Sequence, residues 1–291
     1  MAVSPTQVVS LIFSFVFLDF ITLSEMSTEF NTLVFKGCAS QNFPEPSGAS
    51  KTTLDSLLNS LVSQSSTQTF YNTSANGGTS LTGLFQCRGD LTNVQCHDCV
   101  SKAQNSAIKL CKNAISGRIQ FNGCYLKYQA DSFDDVSGVQ LLYKVCAANQ
   151  IPISGFDEMR VTALGMIVAG VSNGNRFYTG SYQSLYVLGQ CEADLSGGDC
   201  GSCVEAAIAA AKTQCGEAPS AQIYLNRCFV SYTYFSGKGP QIAAASTGSS
   251  ENTQRTVAIA VGCVAAIGFL IVLLVSLKSY LKRRLGKLDD W

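Results

Sequence analysis

The chain has 291 residues, of which 46% are hydrophobic and 14% are charged. That length suits about two ordinary domains, since domains usually contain ~100–200 residues. Lys and Arg total 20, as do Asp and Glu, and no basic stripe with interleaved aromatic residues runs through the sequence. A balanced charge of this kind gives no bulk attraction to nucleic acid, so we expect no nucleic-acid partner.

The N-terminal segment is apolar from Val8 to Phe17. Such a run is long enough for the core of a signal peptide and too short to cross a bilayer. Lys and Arg are missing before it, and Asp19 lies late in the apolar stretch, so the cleavage position stays open around Ser24. We predict a signal peptide over residues 1–24 and a secretory route on which disulfides form.

An internal repeat organises the next two hundred residues. Five cysteines recur after a shift of 104 positions: Cys87, Cys96, Cys99, Cys111 and Cys124 become Cys191, Cys200, Cys203, Cys215 and Cys228. One more cysteine followed by Ala precedes each set, at Cys38 and Cys146, so each copy holds six. An even number permits a closed disulfide framework within each copy. We therefore predict two tandem domains, residues 28–134 and 139–238, with the boundary between 134 and 142.

Apolar periodicity predicts a helix at the start of each copy and strands at its end. Apolar residues at helical spacing are Leu54, Leu57, Leu58, Leu61 and Val62, then Leu164, Ile167, Val168 and Val171. The ranges expected for a second helix are about Cys96–Cys111 and Cys200–Cys215, and the strand ranges are Leu81–Gln86, Arg118–Gln129, Leu185–Gln190 and Gln222–Phe235. The predicted class is α+β with an antiparallel sheet in each domain.

The C-terminal part of the sequence predicts a stalk, a membrane span and a tail. Residues 239–256 are rich in Gly, Ser, Ala and Thr and carry no periodic apolar face, which is typical of a flexible stalk. Val257–Leu277 has 21 residues without a charge, enough for a helix to cross a ~30 Å hydrocarbon layer. Five basic residues follow in the tail 278–291: Lys278, Lys282, Arg283, Arg284 and Lys287. They predict a type I single-pass protein with both domains outside the cell.

Catalytic patterns are poorly supported by the sequence. The two C-x-x-C pairs, Cys96/Cys99 and Cys200/Cys203, allow a redox dithiol or half a zinc site, but each copy lacks a second close pair and has four further cysteines that a redox motif would not need. His97 is the single histidine, and we expect it to be a solvated surface residue rather than a catalytic base. The carboxylates Asp131, Asp134 and Asp135 sit at a domain edge, where solvated charge is the default. We expect no enzyme activity, no cofactor and no metal.

Two short motifs point to modification and association. Asn72-Thr73-Ser74 is an N-glycosylation sequon in a polar stretch that we interpret as a loop of the outside part. Ala258, Gly262 and Ala266 are small residues four apart, a spacing that lets two membrane helices approach closely. The thirteenth cysteine, Cys263, also lies in this span. We therefore name self-association through the span as one interaction, alongside an ordinary lipid-facing helix.

The cysteine spacing resembles a known family. The run Cys87-x8-Cys96-x2-Cys99, repeated from Cys191, looks like the signature of the plant ginkbilobin-type, or stress-antifungal, domain. Two such domains with one span and a short basic tail resemble the plasmodesmata-located proteins, from about Thr28 to the end. The related cysteine-rich receptor-like kinases share the outside domains but would need a kinase after the span, where only 14 residues follow Leu277.

The resemblance implies a fold and a disulfide pairing. Each domain should place two helices on a five-stranded antiparallel sheet with three disulfides. Sequence alone leaves fifteen pairings for each copy. The pairs implied by the resemblance are Cys38–Cys111, Cys87–Cys96, Cys99–Cys124, Cys146–Cys215, Cys191–Cys200 and Cys203–Cys228.

The resemblance also names a sugar site, from which this chain departs. The secreted antifungal member of the family binds mannose through an Asn, an Arg and a Glu at fixed distances from the cysteines. The matching residues here are Ala39, Arg118 and Gln129 in copy one and Ala147, Gln222 and Thr233 in copy two. Loss of hydrogen-bonding groups argues against mannose binding, since such sites depend on buried hydroxyl contacts. Arg118 remains the candidate ligand-binding residue.

Function follows from the resemblance as an expectation. The chain should be a non-enzymatic receptor-like protein of the plasmodesmal plasma membrane that modulates cell-to-cell trafficking, including callose deposition and defence signalling. Its partner classes would be the membrane, other cell-surface or plasmodesmal proteins, viral movement proteins and cell-wall glycan. One alternative is a membrane-tethered carbohydrate-binding module, favoured by Arg118 and by the strands from Tyr224 to Tyr234, which we expect to be exposed. A second alternative is a thiol oxidoreductase that uses the C-x-x-C pairs.

Overall fold

The computed structural model describes residues 30–43, 48–77, 79–130, 137–148 and 154–235, and all of them belong to one compact unit. The predicted signal peptide, stalk, span and tail lie outside the described residues, as do Asp131, Asp134 and Asp135. Among the described helices, none is long and apolar enough to cross a membrane.

Each copy folds into five strands and two main helices. The first domain contains β1 Leu33–Cys38, α1 Ala49–Gln64, β2 Phe70–Gly77, β3 Thr79–Cys87, α2 Asn93–Cys111, β4 Ser116–Phe121 and β5 Cys124–Ala130. The second contains β6 Leu141–Cys146, α3 Phe156–Gly170 with a π turn over Val171–Asn175, β7 Phe177–Tyr182, β8 Leu185–Cys191, α4 Gly197–Cys215, β9 Ser220–Leu225 and β10 Cys228–Tyr234. The prediction of an α+β fold in two tandem domains is confirmed.

The two sheets have the same topology. Their strand orders are β1-β4-β5-β3-β2 and β6-β9-β10-β8-β7, and every neighbouring pair is antiparallel. The first and second strands of each copy therefore lie at opposite edges, with the hairpin of the last two strands between them. This order puts the repeated cysteines of β3 and β5 side by side, since Cys87 is opposite Cys124.

The prediction that each copy opens with a helix is wrong. Strands β1 and β6 precede the helices, and β2 and β7 were also missed at the level of periodicity. All four are edge strands, and β2 carries the mostly polar sequence FYNTSANG. An edge strand needs only one hydrogen-bonded neighbour and one packed face, so it shows little of the alternation that identifies a strand from sequence.

Each domain has its own core beneath its two helices. In the first, Leu57, Leu58 and Leu61 of α1 pack with Phe85 and Leu126 of the sheet. Helix α2 begins with a capping box, because Thr92 accepts from the backbone N–H of Gln95 and the Gln95 side chain accepts from that of Thr92. The helices cover only one face of each sheet, so the opposite, helix-free face can pack against another surface.

Candidate functional site: the interface and cleft between the domains

The helix-free faces of the two sheets contact each other. Side chains alternate along a strand, so Phe85 and Leu126 point to the helices while Gln86, Tyr125 and Lys127 point the other way. All three of the latter are nearly inaccessible to solvent, since their relative exposures are 6%, 8% and 7%. The covering atoms belong to the second domain, whose residues 192 and 193 bond to all three side chains. The interface is therefore a polar layer buried between two sheets.

Two glutamines related by the repeat make reciprocal bonds across this interface. Gln86 accepts a hydrogen bond from the backbone N–H of Ala193 at 3.0 Å, and Gln190 accepts from that of Gly89 at 3.3 Å. Both donors and both acceptors are 104 positions apart, so the two domains are related by an approximate twofold axis. Phe35 of β1 and Tyr143 of β6 stack across the same axis with ring centroids 5.0 Å apart. The interface resembles that of a symmetric dimer built into one chain.

A buried carboxylate breaks this symmetry. Glu192 is 3% exposed, and its Oε1 accepts from the Tyr125 hydroxyl and from Lys127 Nζ, both at 2.6 Å. Its other oxygen accepts from Arg227 Nε at 2.8 Å, and Arg227 also pairs with Asp194. The residue equivalent to Glu192 in the first domain is Arg88. Lys127 and Tyr125 belong to the first domain and Glu192 to the second, so the ion pair and hydrogen bonds of this cluster link the two domains.

Burial alone would raise the pKa of Glu192, because it disfavours the charged form. The positive charge of Lys127 and the hydrogen bonds from Lys127, Tyr125 and Arg227 outweigh burial, so the pKa of Glu192 lies below its ordinary value of 4.5. Burial, with the charge of Glu192, raises the pKa of Tyr125 well above 10 and keeps its hydroxyl protonated as a donor. The cluster is thus an ion pair at neutral pH.

Arg118, the candidate ligand residue, is held in this interface. It lies with Ala39 and Gln129 around one shallow depression, as the resemblance implies. Its Nη1 donates to the backbone oxygen of Asn226 in the second domain at 2.9 Å, and its guanidinium carbon stacks 4.1 Å from the Tyr125 ring centroid. The guanidinium of Arg118 is therefore engaged in contacts between the domains and does not form an open ligand-binding site.

Two surface predictions are corrected by the structure. The strands from Tyr224 to Tyr234 are not exposed, since Tyr224 and Tyr232 are 3% and 1% accessible. His97 is half-buried rather than solvated, and its Nδ1 lies 3.2 Å from both the Ser65 hydroxyl and the Val62 carbonyl. It bridges α2 to the end of α1, which is a packing role.

The structure contains three disulfides in each domain. The joined pairs are Cys38–Cys111, Cys87–Cys96, Cys99–Cys124, Cys146–Cys215, Cys191–Cys200 and Cys203–Cys228. In each C-x-x-C segment, the two cysteines bond to different strands rather than to each other. Within the described ranges, no three His, Cys, Asp or Glu side chains are grouped to hold a metal ion.

Asn72 lies in strand β2 and not in the loop that we expected. It is exposed, and its Cα is paired with that of Leu84 on β3. Both residues line an open cleft beside the interface, whose other wall comes from the second domain. The residues of that wall include Glu192, Asp194, Leu195, Asp199, Ser202 and Arg227.

The interface residues were missed by reasoning from sequence, although one signal pointed to them. Gln86 and Gln190 occupy the same place in two apolar strands, where a polar residue facing solvent is the usual interpretation. Lys127 and Glu192 carry no such signal, because neither recurs at the equivalent position of the other copy.

Comparisons with known proteins agree with this architecture. The salt stress response/antifungal family model matches residues 37–131 and 145–234. Plasmodesmata-located protein 2 of Arabidopsis thaliana is 40% identical, over 93% of this chain and 93% of its own. Plasmodesmata-located protein 1 of the same plant is 42% identical, over 94% of this chain and 96% of its own.

Solved structures match the two-domain part. The tandem DUF26 ectodomain of the Arabidopsis thaliana cysteine-rich receptor-like protein PDLP8 has a TM-score of 0.66 and 25% identity, covering 70% of this chain and 98% of that one. The ectodomain of PDLP5 has a TM-score of 0.60 and 28% identity, covering 70% and 99%. With two matching salt stress response/antifungal domains and close relatives over nearly its whole length, this chain belongs to the plasmodesmata-located protein family.

Proposed function

We propose that this chain is a non-enzymatic, receptor-like protein of the plasma membrane at plasmodesmata, where it modulates trafficking between cells. The observation that carries the proposal is 40–42% identity to two plasmodesmata-located proteins over 93–94% of the chain. Similarity of that extent includes the segments beyond the two domains, so it supports a shared location as well as a shared fold.

The architecture of the described part supports a role in binding. Twelve cysteines are committed to structural disulfides, and the charged groups at the interface are committed to joining the domains. Two domains joined in this way present a combined outer surface to partners. In our proposal, that surface contacts other cell-surface or plasmodesmal proteins, viral movement proteins and wall glycan. These contacts would alter callose deposition and defence signalling.

Residues of the span and the tail would carry location and association. We propose that Val257–Leu277 crosses the membrane as a type I span after the stalk 239–256, and that the signal peptide 1–24 is removed. Close approach at Ala258, Gly262 and Ala266 would let two copies pair. The 14 residues of the tail would recruit a signalling partner.

The test is live imaging of the full chain with a C-terminal fluorescent protein in leaf epidermis, together with a callose stain. We expect puncta that coincide with callose at cell walls, and reduced movement of a free fluorescent protein between neighbouring cells. A matched variant replaces Val257–Leu277 by a generic apolar span of equal length. Loss of puncta in that variant would assign targeting to the span, whereas uniform surface label in both proteins would contradict the proposal.

One observation supports the alternative function, a membrane-tethered carbohydrate-binding module. Arg118 is engaged by the second domain, but the cleft beside the interface carries hydroxyl, amide and carboxylate groups that suit a saccharide. A glycan array probed with the soluble two-domain fragment tests it. Absence of any signal would remove this alternative.

A further inference from the structure

The cleft beside the interface is open and polar. Hydrogen-bonding groups on its walls include those of Asn72 and Thr82 from the first domain and of Asp199 and Ser202 from the second. The cleft has a volume of about 640 Å³. Typical ligand pockets hold roughly 300–1,000 Å³, so the cleft is large enough to hold part of a saccharide.

The sequon asparagine is itself part of the cleft wall. Asn72 is paired with Leu84, which lies on the same helix-free face as Gln86, two residues along β3. The Asn72 side chain therefore starts from the face that meets the second domain, at the edge strand of the sheet. A glycan joined to its Nδ2 would begin inside the cleft rather than on an outer surface.

The approximate twofold axis supplies a second position for comparison. Thr179 on β7 is the equivalent of Asn72, because it pairs with Leu188 as Asn72 pairs with Leu84. At that position Tyr186 replaces Thr82, and it is half-buried next to Thr179 and near Arg88 and Asp90 of the first domain. The second domain thus has a larger side chain at the position that corresponds to Thr82 beside Asn72.

We propose that the N-linked glycan of Asn72 lies in this cleft and joins the two domains by hydrogen bonds to the second. Asp199 and the exposed Ser202, at the start of α4, line the same cleft as Asn72, and the Asp199 carboxylate also accepts a hydrogen bond from the Ser196 hydroxyl. Sugar hydroxyls donate to carboxylates and exchange bonds with hydroxyl groups, and bonds to a charged acceptor are the stronger ones. The glycan would act as a further link between the domains, in addition to the Lys127–Glu192 ion pair and the other interface contacts.

The lining favours a tethered saccharide over a free one. Of the residues that the structure describes, no aromatic side chain lines the cleft, so a sugar ring finds no stacking surface there. A free saccharide would bind weakly on hydrogen bonds alone, because these replace equally good bonds to water. A glycan attached at Asn72 experiences an effective concentration in the millimolar range, which compensates for weak intrinsic affinity.

The test is the processing state of the glycan on the full chain, purified from leaf membranes and analysed as glycopeptides by mass spectrometry. Golgi enzymes trim and extend a glycan only when they reach its core. A glycan held in the cleft should therefore stay oligomannose, without the xylose and core fucose of mature plant glycans. We expect this for Asn72 in the wild-type chain.

A matched variant moves the glycan to the equivalent position. N72Q removes the first sequon, and T179N creates a new one, because Gly180 and Ser181 follow. In N72Q/T179N, where Tyr186 occupies the space, the glycan should acquire xylose and fucose. A second variant, S202W, keeps the Asn72 sequon and fills the cleft from the opposite wall at an exposed position. It should shift the Asn72 glycan from the oligomannose to the processed form.

Three results would overturn the proposal: an unmodified Asn72, a processed glycan on the wild-type chain, or an oligomannose glycan unchanged by S202W. If position 179 of N72Q/T179N is not glycosylated, the processing state of the Asn72 glycan in S202W tests the proposal by itself. The inference needs only that the two domains pass through the secretory pathway. It would survive a failure to find the chain at plasmodesmata, so the two proposals are tested separately.

Discussion

Lys127 of the first domain places its Nζ 2.6 Å from Oε1 of Glu192 in the second, and both side chains are less than 10% exposed. Ion pairs of this kind are costly to bury and costly to break. Because the pair joins two domains with separate cores, it stabilises their association and, through that association, the folded two-domain unit.

Substitution E192Q should destabilise the protein strongly. The change removes the counter-charge of Lys127 in a buried site, for which we expect a loss of about 3–5 kcal/mol in the free energy of unfolding. Urea denaturation of the soluble fragment 25–238 measures it. D194N is the matched control, because Asp194 also pairs with Arg227 but is 39% exposed, and pairs near the surface contribute about 0–1 kcal/mol. Equal effects of E192Q and D194N would contradict the assignment.

Stability should fall in acid because of the same residue. Folding lowers the pKa of Glu192, so its contribution is complete above the ordinary value of 4.5 and is lost as pH falls through the lower folded-state pKa. Melting temperatures measured between pH 7 and pH 3 should therefore drop more steeply below about pH 4.5 for the wild-type fragment than for E192Q. Asp98, whose pKa is also lowered despite partial burial, by Lys102 and Asn31, contributes to both proteins and cancels in the difference. Parallel curves would argue against the ion pair.

Substitution Q190L should weaken the contact between the domains. The Gln190 amide donates to the Cys87 carbonyl at 2.9 Å and accepts from the Gly89 N–H, and leucine would leave both backbone groups unpaired. We expect a cost of about 1–3 kcal/mol, the range for buried unsatisfied groups. Differential hydrogen exchange should locate faster exchange at Gly89 and along β3. The reciprocal variant Q86L should have its effect near Ala193, and an effect confined to the mutated domain would count against the twofold arrangement.

Two glycines of the second domain should respond to alanine in opposite directions. Gly165 is in helix α3 with no atom within 4 Å of an added Cβ, so G165A should stabilise by about 0.5–1 kcal/mol through helix propensity. Gly189 is in β8, where an added Cβ would collide with the Ile167 side chain. G189A should therefore lower the melting temperature while G165A raises it.

Free-thiol labelling should find the ectodomain fully oxidised. The structure joins all twelve of its cysteines, so alkylation of the denatured, unreduced full chain should label Cys263 alone. Labelling after reduction supplies the positive control. Reactive thiols at Cys96 and Cys99 would revive the oxidoreductase alternative.

The sequence determined the domain count and much of each fold. Five cysteines that recur after a shift of 104 positions identify two copies, and apolar spacing places α1 and β3 because each buries a continuous face against its own core. Edge strands β1 and β2 were not predicted. A short strand with one hydrogen-bonded neighbour shows little alternation of apolar and polar residues.

Only the tertiary structure decided what covers the helix-free faces. Gln86, Tyr125 and Lys127 alternate with core residues, and from sequence that alternation is the pattern of a strand with one face in water. Those residues are buried instead because the second copy packs on them, and Glu192 supplies the matching charge from 65 positions away. Local patterns record whether a face is polar, whereas the partner of a polar face depends on contacts between distant residues that no local pattern encodes.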